Sequence, residues 1–417
     1  MLRKIPRRVT GRKSRRILMK GKMIVLVLDG FGMGQMPDAD SKYYADTFGS
    51  LLKYQEDLAL PNLEALGLMN AYGKESLKMK FNPQANYGKM ALMHQGADTF
   101  YGHQEMMGTF PKPTQKIPFS GSIHEIRQGL IDANYDVKYI GDQHKILLVN
   151  NCITVGDNLE ADYGLAYNVT ASFDYVSFED VIKVGRVVRQ HAKVPRVIAF
   201  GGQGVNLINI ISSIHEKDNT MVGVSAPEVG VYDQGYEVIH MGYGIDPEVQ
   251  APTILGRQNI PVTLIGKVAD IVQNDFGKSI PAVDTTLVMN ELIQACQQME
   301  RGFICANVQE TDLAGHDQNP GRYIQKLETV DAHLPKLKEV MAQDDVLCIV
   351  ADHGNDPLIG HGKHTREYVP LLVYKKNLKN QRYGLRSTLS DIGATAVELF
   401  TSETATQNGK RIQFEEA

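Results

Sequence analysis

Asp29, Thr99, Asp312, His316, Asp352, His353 and His364 are the residues of this chain whose types could do chemistry together. Asp29 closes the apolar run Met23-Ile-Val-Leu-Val-Leu28 and precedes Gly30-Phe-Gly-Met-Gly34. Asp312 and His316 lie in Asn307-Val-Gln-Glu-Thr-Asp-Leu-Ala-Gly-His316. Asp352 and His353 follow Val346-Leu-Cys-Ile-Val-Ala351, and His364 lies in His361-Gly-Lys-His-Thr-Arg-Glu-Tyr368. Two sets of carboxylates and imidazoles with one hydroxyl between them describe a two-metal centre built around a Thr nucleophile. The chemistry expected is phosphoryl transfer.

Each motif has a plainer reading. An Asp that ends a strand before glycines is often only a turn residue. A lone Asp-His pair is more often a hydrogen-bonded couple, and Thr99 could be a helix N-cap. Coincidence is a poor account of three such segments, each directly after an apolar run. Thr99 can also serve both roles, because amides at a helix N-terminus favour a phosphate. Carboxylates and imidazoles suit Mn²⁺, Zn²⁺ or Mg²⁺, and three histidines argue against Mg²⁺ alone.

The elements that must position these groups read as an α/β chain of about two domains. Of 417 residues, 43% are hydrophobic and 22% charged, as in soluble globular proteins. No apolar stretch is long enough for a membrane span. The four cysteines show no CxxC pairing; Cys305 and Cys348 sit in apolar runs and are expected to be buried thiols, which fits a reducing cytoplasm. Residues 1–22 hold ten Lys or Arg and no acid, leaving 34 basic against 48 acidic residues in the remainder. With so acidic a body, this segment is expected to be a disordered basic extension and not a nucleic-acid arm. No nucleic-acid or membrane partner is expected.

The core is expected to open with a strand over 24–28 and a short helix over 60–67, and then to reach a polar loop around Thr99. Residues 23–112 form its first part. Pro111, Pro113, Pro118 and Gly121 mark a linker. Residues 113–250 are expected to form an inserted α/β cap, with strands over 137–140, 145–149 and 196–200 and a helix over 178–190. The core resumes over 251–417. It should hold strands over 262–265, 302–308, 346–350 and 370–374 and helices over 285–299, 322–341 and 392–400. Pro335 should kink the second of those helices. Strands alternating with helices imply a mainly parallel core sheet covered on both faces.

With these motifs in place, the chain resembles the phosphopentomutases, members of the alkaline phosphatase superfamily. The resemblance rests on Leu60-Pro-Asn-Leu-Glu-Ala-Leu-Gly-Leu68, Asp98-Thr-Phe-Tyr-Gly-His-Gln-Glu-Met-Met-Gly108, Gly266-Lys-Val-Ala-Asp-Ile271, Leu334-Pro-Lys-Leu337, Ala351-Asp-His-Gly354, His364-Thr-Arg-Glu-Tyr-Val-Pro370 and Asp391-Ile-Gly-Ala394. Cofactor-independent phosphoglycerate mutases are more distantly similar. The resemblance implies a three-layer α/β/α core with a smaller inserted α/β cap. It implies that Thr99 is the phosphorylated residue, with Asp29, Asp352 and His353 on one Mn²⁺ and Asp312, His316 and His364 on the other. It implies a phosphomutase of ribose 1-phosphate and ribose 5-phosphate or a related phosphosugar, primed by a sugar bisphosphate.

The chain also departs from the family pattern. Asp312 and His316 are four apart where that pattern has five. The family's Ala-Arg-Pro-Phe stretch reads Ala199-Phe200-Gly-Gly-Gln203, and its Ser-Ala-Asp reads Thr170-Ala-Ser172. Lys267 is kept. Lys267, Thr170 and Ser172 are therefore the expected substrate contacts, in a cap whose reading surface is rewritten. Two rivals remain: a phosphohydrolase on the same core, and a non-catalytic phosphosugar-binding relative.

Overall fold

The computed structural model describes residues 18–39, 43–141, 144–161, 163–402 and 405–414. Most of the basic segment 1–22 lies outside the described residues. Its last residues belong to the fold, which corrects the expectation that all 22 form an extension. The Met19 amide donates to the Leu399 carbonyl at 2.8 Å. The buried ammonium of Lys22 lies 2.8 Å from buried Asp345. A buried charge needs such a partner.

The chain opens with β1 (Lys22–Leu28) and β2 (Asn86–Met90). It then builds a second sheet from β3 (Val137–Ile140), β4 (Ile146–Val149), β5 (Ile153–Asp157), β6 (Ala166–Ser172) and β7 (Arg196–Gly202). A hairpin of β8 (Ile214–Lys217) and β9 (Met221–Val224) precedes the last strand of that sheet, β10 (Glu237–Gly242). The first sheet is completed by β11 (Val262–Gly266), β12 (Lys278–Ile280), β13 (Gly302–Val308), β14 (Val346–Val350), β15 (Val369–Lys375) and β16 (Arg382–Arg386).

The first sheet runs β12-β11-β13-β1-β14-β15-β2-β16. Its pairs are parallel except the two made by β15. Every residue of β13, β1 and β14 is buried. Covered on both faces, these strands are continuous apolar runs without alternation. In register, Leu28 stands beside Val308 and Val27 beside Val350. The three strands therefore end at one edge of the sheet, and Asp29, the 309–316 segment and Asp352 emerge side by side. Open parallel sheets place their chemistry at this carboxyl edge.

The second sheet, β10-β7-β6-β5-β4-β3, is antiparallel except for β6 with β7. It has its own apolar cluster, formed with the helices Ile123–Asp132 and Phe178–His191. The first sheet packs around a separate cluster.

One local expectation changes. Thr99 begins a helix, Thr99–Met106, instead of lying in a loop. Asp98 takes the capping role, its Oδ1 accepting from the Tyr101 amide at 3.0 Å. A single helix spans Pro320–Val340 with Pro335 inside it. Leu334 and Leu337 are fully buried on either side of the proline, so packing carries the helix past the missing N–H.

Candidate active site

The nucleophile candidate is fixed from its own helix. Thr99 Oγ1 donates to Asp352 Oδ2 at 2.7 Å. One turn on, Gly102 lies against the Asp352 backbone, where a Cβ would come 2.8 Å from the Asp352 carbonyl oxygen. Only glycine lets the helix sit this close. His103, fully buried, places Nδ1 2.8 Å from the Thr99 carbonyl and 3.3 Å from Asp352 Oδ2. Its Nε2 lies 2.9 Å from Asn307 Nδ2, which also donates to Asp29 Oδ2 at 3.1 Å. Asn307 therefore ties the ends of β1 and β13 to the nucleophile helix.

Six acid and histidine residues converge beside Thr99 as two triplets, Asp29 with Asp352 and His353, and Asp312 with His316 and His364. Within each triplet the ligand-capable atoms lie within 4.8 Å of one another. The histidines share one arrangement. Nδ1 of His316, His364 and His353 lies 2.8, 3.0 and 3.0 Å from the carbonyl oxygens of Gly362, Ala97 and Gly354. A carbonyl only accepts, so each Nδ1 carries the proton and each Nε2 turns a lone pair inward.

The Nε2 atoms of His316 and His364 are 3.0 Å apart. His353 Nε2 and Asp29 Oδ1 are buried without a hydrogen-bond partner. Converging lone pairs and orphaned buried acceptors fit cations. Asn355 steadies the second triplet, its Nδ2 donating to Asp312 Oδ1 at 2.8 Å.

The charges lead to the same conclusion. Burial, with the Asp352 and Asp312 carboxylates nearby, pushes the Asp29 carboxyl up to about 8. Burial also drives His353 down to about 4. The hydrogen bond to Asp312 pushes His316 up to about 9. Lys267 bridges the triplets, its Nζ 3.1 Å from Asp29 and 3.3 Å from Asp312. That ammonium is one positive charge among three buried carboxylates.

Glu105 and Arg366 fix the approach to Thr99. Glu105 is buried and accepts from the His94 amide at 2.8 Å and from Thr388 Oγ1 at 2.7 Å. The Arg366 guanidinium donates to the carbonyls of Leu92, His94 and Gly96 at 2.9, 2.6 and 2.6 Å. Beyond these bonds a cleft opens between the two sheets. One part, of about 900 Å³, reaches His364, and another, of about 700 Å³, runs under β7. Residues 94–97 line both.

Comparison with known proteins matches residues 21–404 to the Metalloenzyme superfamily. The phosphopentomutase of Clostridioides difficile is 30% identical over 401 residues, covering 91% of this chain and 95% of that one. The chain belongs to the phosphopentomutase family. Its phosphopentomutase relative in Alkaliphilus oremlandii is 28% identical over 392 residues, covering 91% of this chain and 95% of its own. Among solved structures, a phosphoglycerate mutase of Leishmania mexicana aligns over 95% of this chain and 99% of its own, with TM-score 0.43 and 12% identity.

Two of the expected substrate contacts lie in the second sheet. Thr170 and Ser172 are buried, at 1% and 0% exposure. Their register partners in β7 are Phe200 and Gly202. Phe200 is buried and stacks on Tyr232 with ring centroids 5.9 Å apart. The chain after β7 thus folds back over this end of the sheet. Thr170 lies four residues along the strand from the level of Arg196, about 13 Å at the usual rise. The structure does not bring Thr170 or Ser172 to the cleft, and it puts Lys267 inside the acid cluster.

Arg196 reaches the residue that caps the Thr99 helix, its guanidinium 2.6 Å from Asp98 Oδ2. Sequence reasoning passed over both Arg196 and His103. The only signal was an arginine opening an apolar strand and a histidine four residues after the candidate Thr.

Proposed function

We propose that this protein is a metal-dependent phosphomutase. It moves a phosphoryl group between two hydroxyls of one phosphosugar through a phosphorylated Thr99. Its relatives are named phosphopentomutases, and ribose 1-phosphate and ribose 5-phosphate are the pentose phosphates this reading favours. The observation that carries this reading is Thr99 Oγ1, hydrogen-bonded to Asp352 beside two carboxylate–imidazole triplets.

Asp29, Asp352 and His353 would hold one divalent cation and Asp312, His316 and His364 the other, Mn²⁺ being the reading for this mixed O and N set and Zn²⁺ the nearest rival. Bound there, the ions would lower the hydroxyl pKa and neutralise phosphoryl oxygens. The chain's own groups do the rest. Asp352 accepts the Thr99 proton's hydrogen bond and so aims the oxygen. His103 and Asn307 hold Asp352 and Asp29 in place. Thr99 attacks the phosphorus of a sugar bisphosphate, and the P–O bond to the sugar breaks. The sugar oxygen takes a proton, and a monophosphate is left beside phospho-Thr99. That monophosphate leaves. The free hydroxyl of an incoming phosphosugar attacks phospho-Thr99, giving up its proton as the P–Oγ1 bond breaks and a bisphosphate forms. The bisphosphate turns, and Thr99 takes back the phosphoryl group from its other end, leaving the isomeric monophosphate.

A phosphohydrolase would differ only in letting water attack phospho-Thr99. Contact between the cap and the Thr99 helix favours the mutase, because it closes that helix against solvent. Tyr101 Oη donates to the Pro195 carbonyl at 2.6 Å and accepts from the Tyr243 amide at 3.1 Å. ³¹P NMR of the Mn²⁺-loaded protein with both ribose phosphates and a bisphosphate primer tests the proposal. Interconversion that is absent in Thr99→Ala is expected. Inorganic phosphate released at the rate of substrate loss would establish the hydrolase instead.

A further inference from the structure

Thr170 and Ser172, the expected cap contacts, lie buried and bring no charge to the cleft. The positive charge in the cleft sits elsewhere. Its 700 Å³ part is lined by Lys112 and Lys116 from the linker and by Arg196 from β7. Among the described residues, Asp98 is the single carboxylate in that lining, and it is already paired with Arg196. Among the described residues, neither lysine has a carboxylate within 4.0 Å. In a chain with net charge −4, two unpaired lysines facing one cavity form a local positive field, which draws anions into a cleft.

The linker that bears them is held in place. The Gln115 amide donates to the Lys193 carbonyl at 2.9 Å and the Ile117 amide to the Gly164 carbonyl at 3.3 Å. The stem of Lys112 crosses Gly244, where a Cβ would come 2.8 Å from Lys112 Cδ. Gly244 therefore leaves the lysine its path, and the ammonium groups are mounted on a backbone fastened to the cap. Asp98 lines the same cavity and precedes Thr99, so an anion bound here lies on the cap side of a substrate whose reacting end meets Thr99.

We infer that Lys112 and Lys116, with Arg196 at the inner wall, form the subsite for the phosphate of the phosphosugar that is not being transferred. The inference rests on the phosphomutase reading above and adds to it the groups that select a second phosphate. Ammonium groups hold a phosphate dianion as point charges without fixed geometry. The same subsite accepts the phosphate of ribose 5-phosphate and either end of the bisphosphate, as a molecule that turns over between two half-reactions requires.

The test is calorimetric titration of ribose 5-phosphate into the full, Mn²⁺-loaded chain. Wild type is compared with the double variant Lys112→Gln/Lys116→Gln and with Lys138→Gln, which removes an exposed cap lysine outside the cleft. Thermal unfolding confirms that each variant is folded. Loss of two charged hydrogen bonds should raise Kd at least about tenfold in the double variant and leave Lys138→Gln unmoved. Equal Kd in all three, or no binding by wild type, overturns the subsite. Interconversion is followed in parallel. If binding weakens in the double variant but wild type does not interconvert ribose phosphates, the mutase reading falls and the anion subsite stands. If wild type interconverts them and KM is the same in all three, the mutase reading stands and the subsite falls.

Discussion

Arg196 of the cap lies 2.6 Å from the carboxylate of Asp98, the residue that caps the Thr99 helix. One carboxylate thus serves two purposes. Its Oδ1 starts the helix that presents the nucleophile, and its Oδ2 ties that helix to β7. Burial alone would raise the Asp98 pKa, but the Arg196 charge and the Tyr101 amide hold it below the usual carboxylate value. Cap position and nucleophile position are coupled through this pair.

Arg196→Met should therefore loosen the cap without unfolding it. The pair is about one-third exposed, and such pairs contribute about 0–1 kcal/mol. The thermal midpoint should hardly move. Interconversion should slow, and a larger share of phosphate should be lost to water. Measuring sugar phosphate and inorganic phosphate together checks this. An unchanged partition would show that the pair does not govern closure.

Gly102→Ala tests the close approach of the nucleophile helix to Asp352. The new methyl meets the Asp352 carbonyl oxygen at 2.8 Å, so the helix must shift and the Thr99–Asp352 bond must lengthen. Overpacking of this kind costs roughly 1–3 kcal/mol. The rate should fall by more than the stability loss explains. Full activity with an unchanged midpoint would mean that the helix position is not critical.

The residues of β1, β13 and β14 are legible in the sequence because strands buried on both faces leave continuous apolar runs. The polar residues directly after each run emerge at one edge of the sheet. Asp29, Asp312 and Asp352 therefore group together from the sequence alone. His103 is not legible in this way. It sits on a short helix among buried residues, and its partners Asp352 and Asn307 lie more than two hundred positions away. Thr170 and Ser172 mislead for a different reason. They lie on β6, and their burial under the chain beyond β7 depends on packing between segments that no local pattern records.

Acidity should act on the cap through Asp157. Burial pushes this carboxyl up to about 6, although the amides of Phe119 and Val222 both donate to it. Its folded value lies above its unfolded one, so the folded state holds the proton more tightly. Its contribution to stability is greatest below about pH 4 and is lost as pH rises through about 6. Urea midpoints of wild type and Asp157→Asn, compared from pH 4 to 7, should show wild type losing stability relative to the variant across that window. A constant difference would contradict the shift. The variant also loses one amide hydrogen bond, an offset independent of pH.

Removing divalent ions should destabilise the core. Three buried carboxylates share one lysine, and any ion that binds only the folded state adds about 2.7 kcal/mol at a hundredfold excess over its Kd. A chelator should lower the thermal midpoint and abolish interconversion, and Mn²⁺ should restore both. An unchanged midpoint would argue against ions at the two triplets.

The central claim is that Thr99 carries the phosphoryl group. Mn²⁺-loaded protein primed with a ribose bisphosphate should gain the mass of one phosphoryl group, and peptide mapping should place it on Thr99. Adding ribose 5-phosphate should then discharge it into sugar bisphosphate. Phosphate mapped to another residue, or Thr99→Ala loading as well as wild type, would contradict the account.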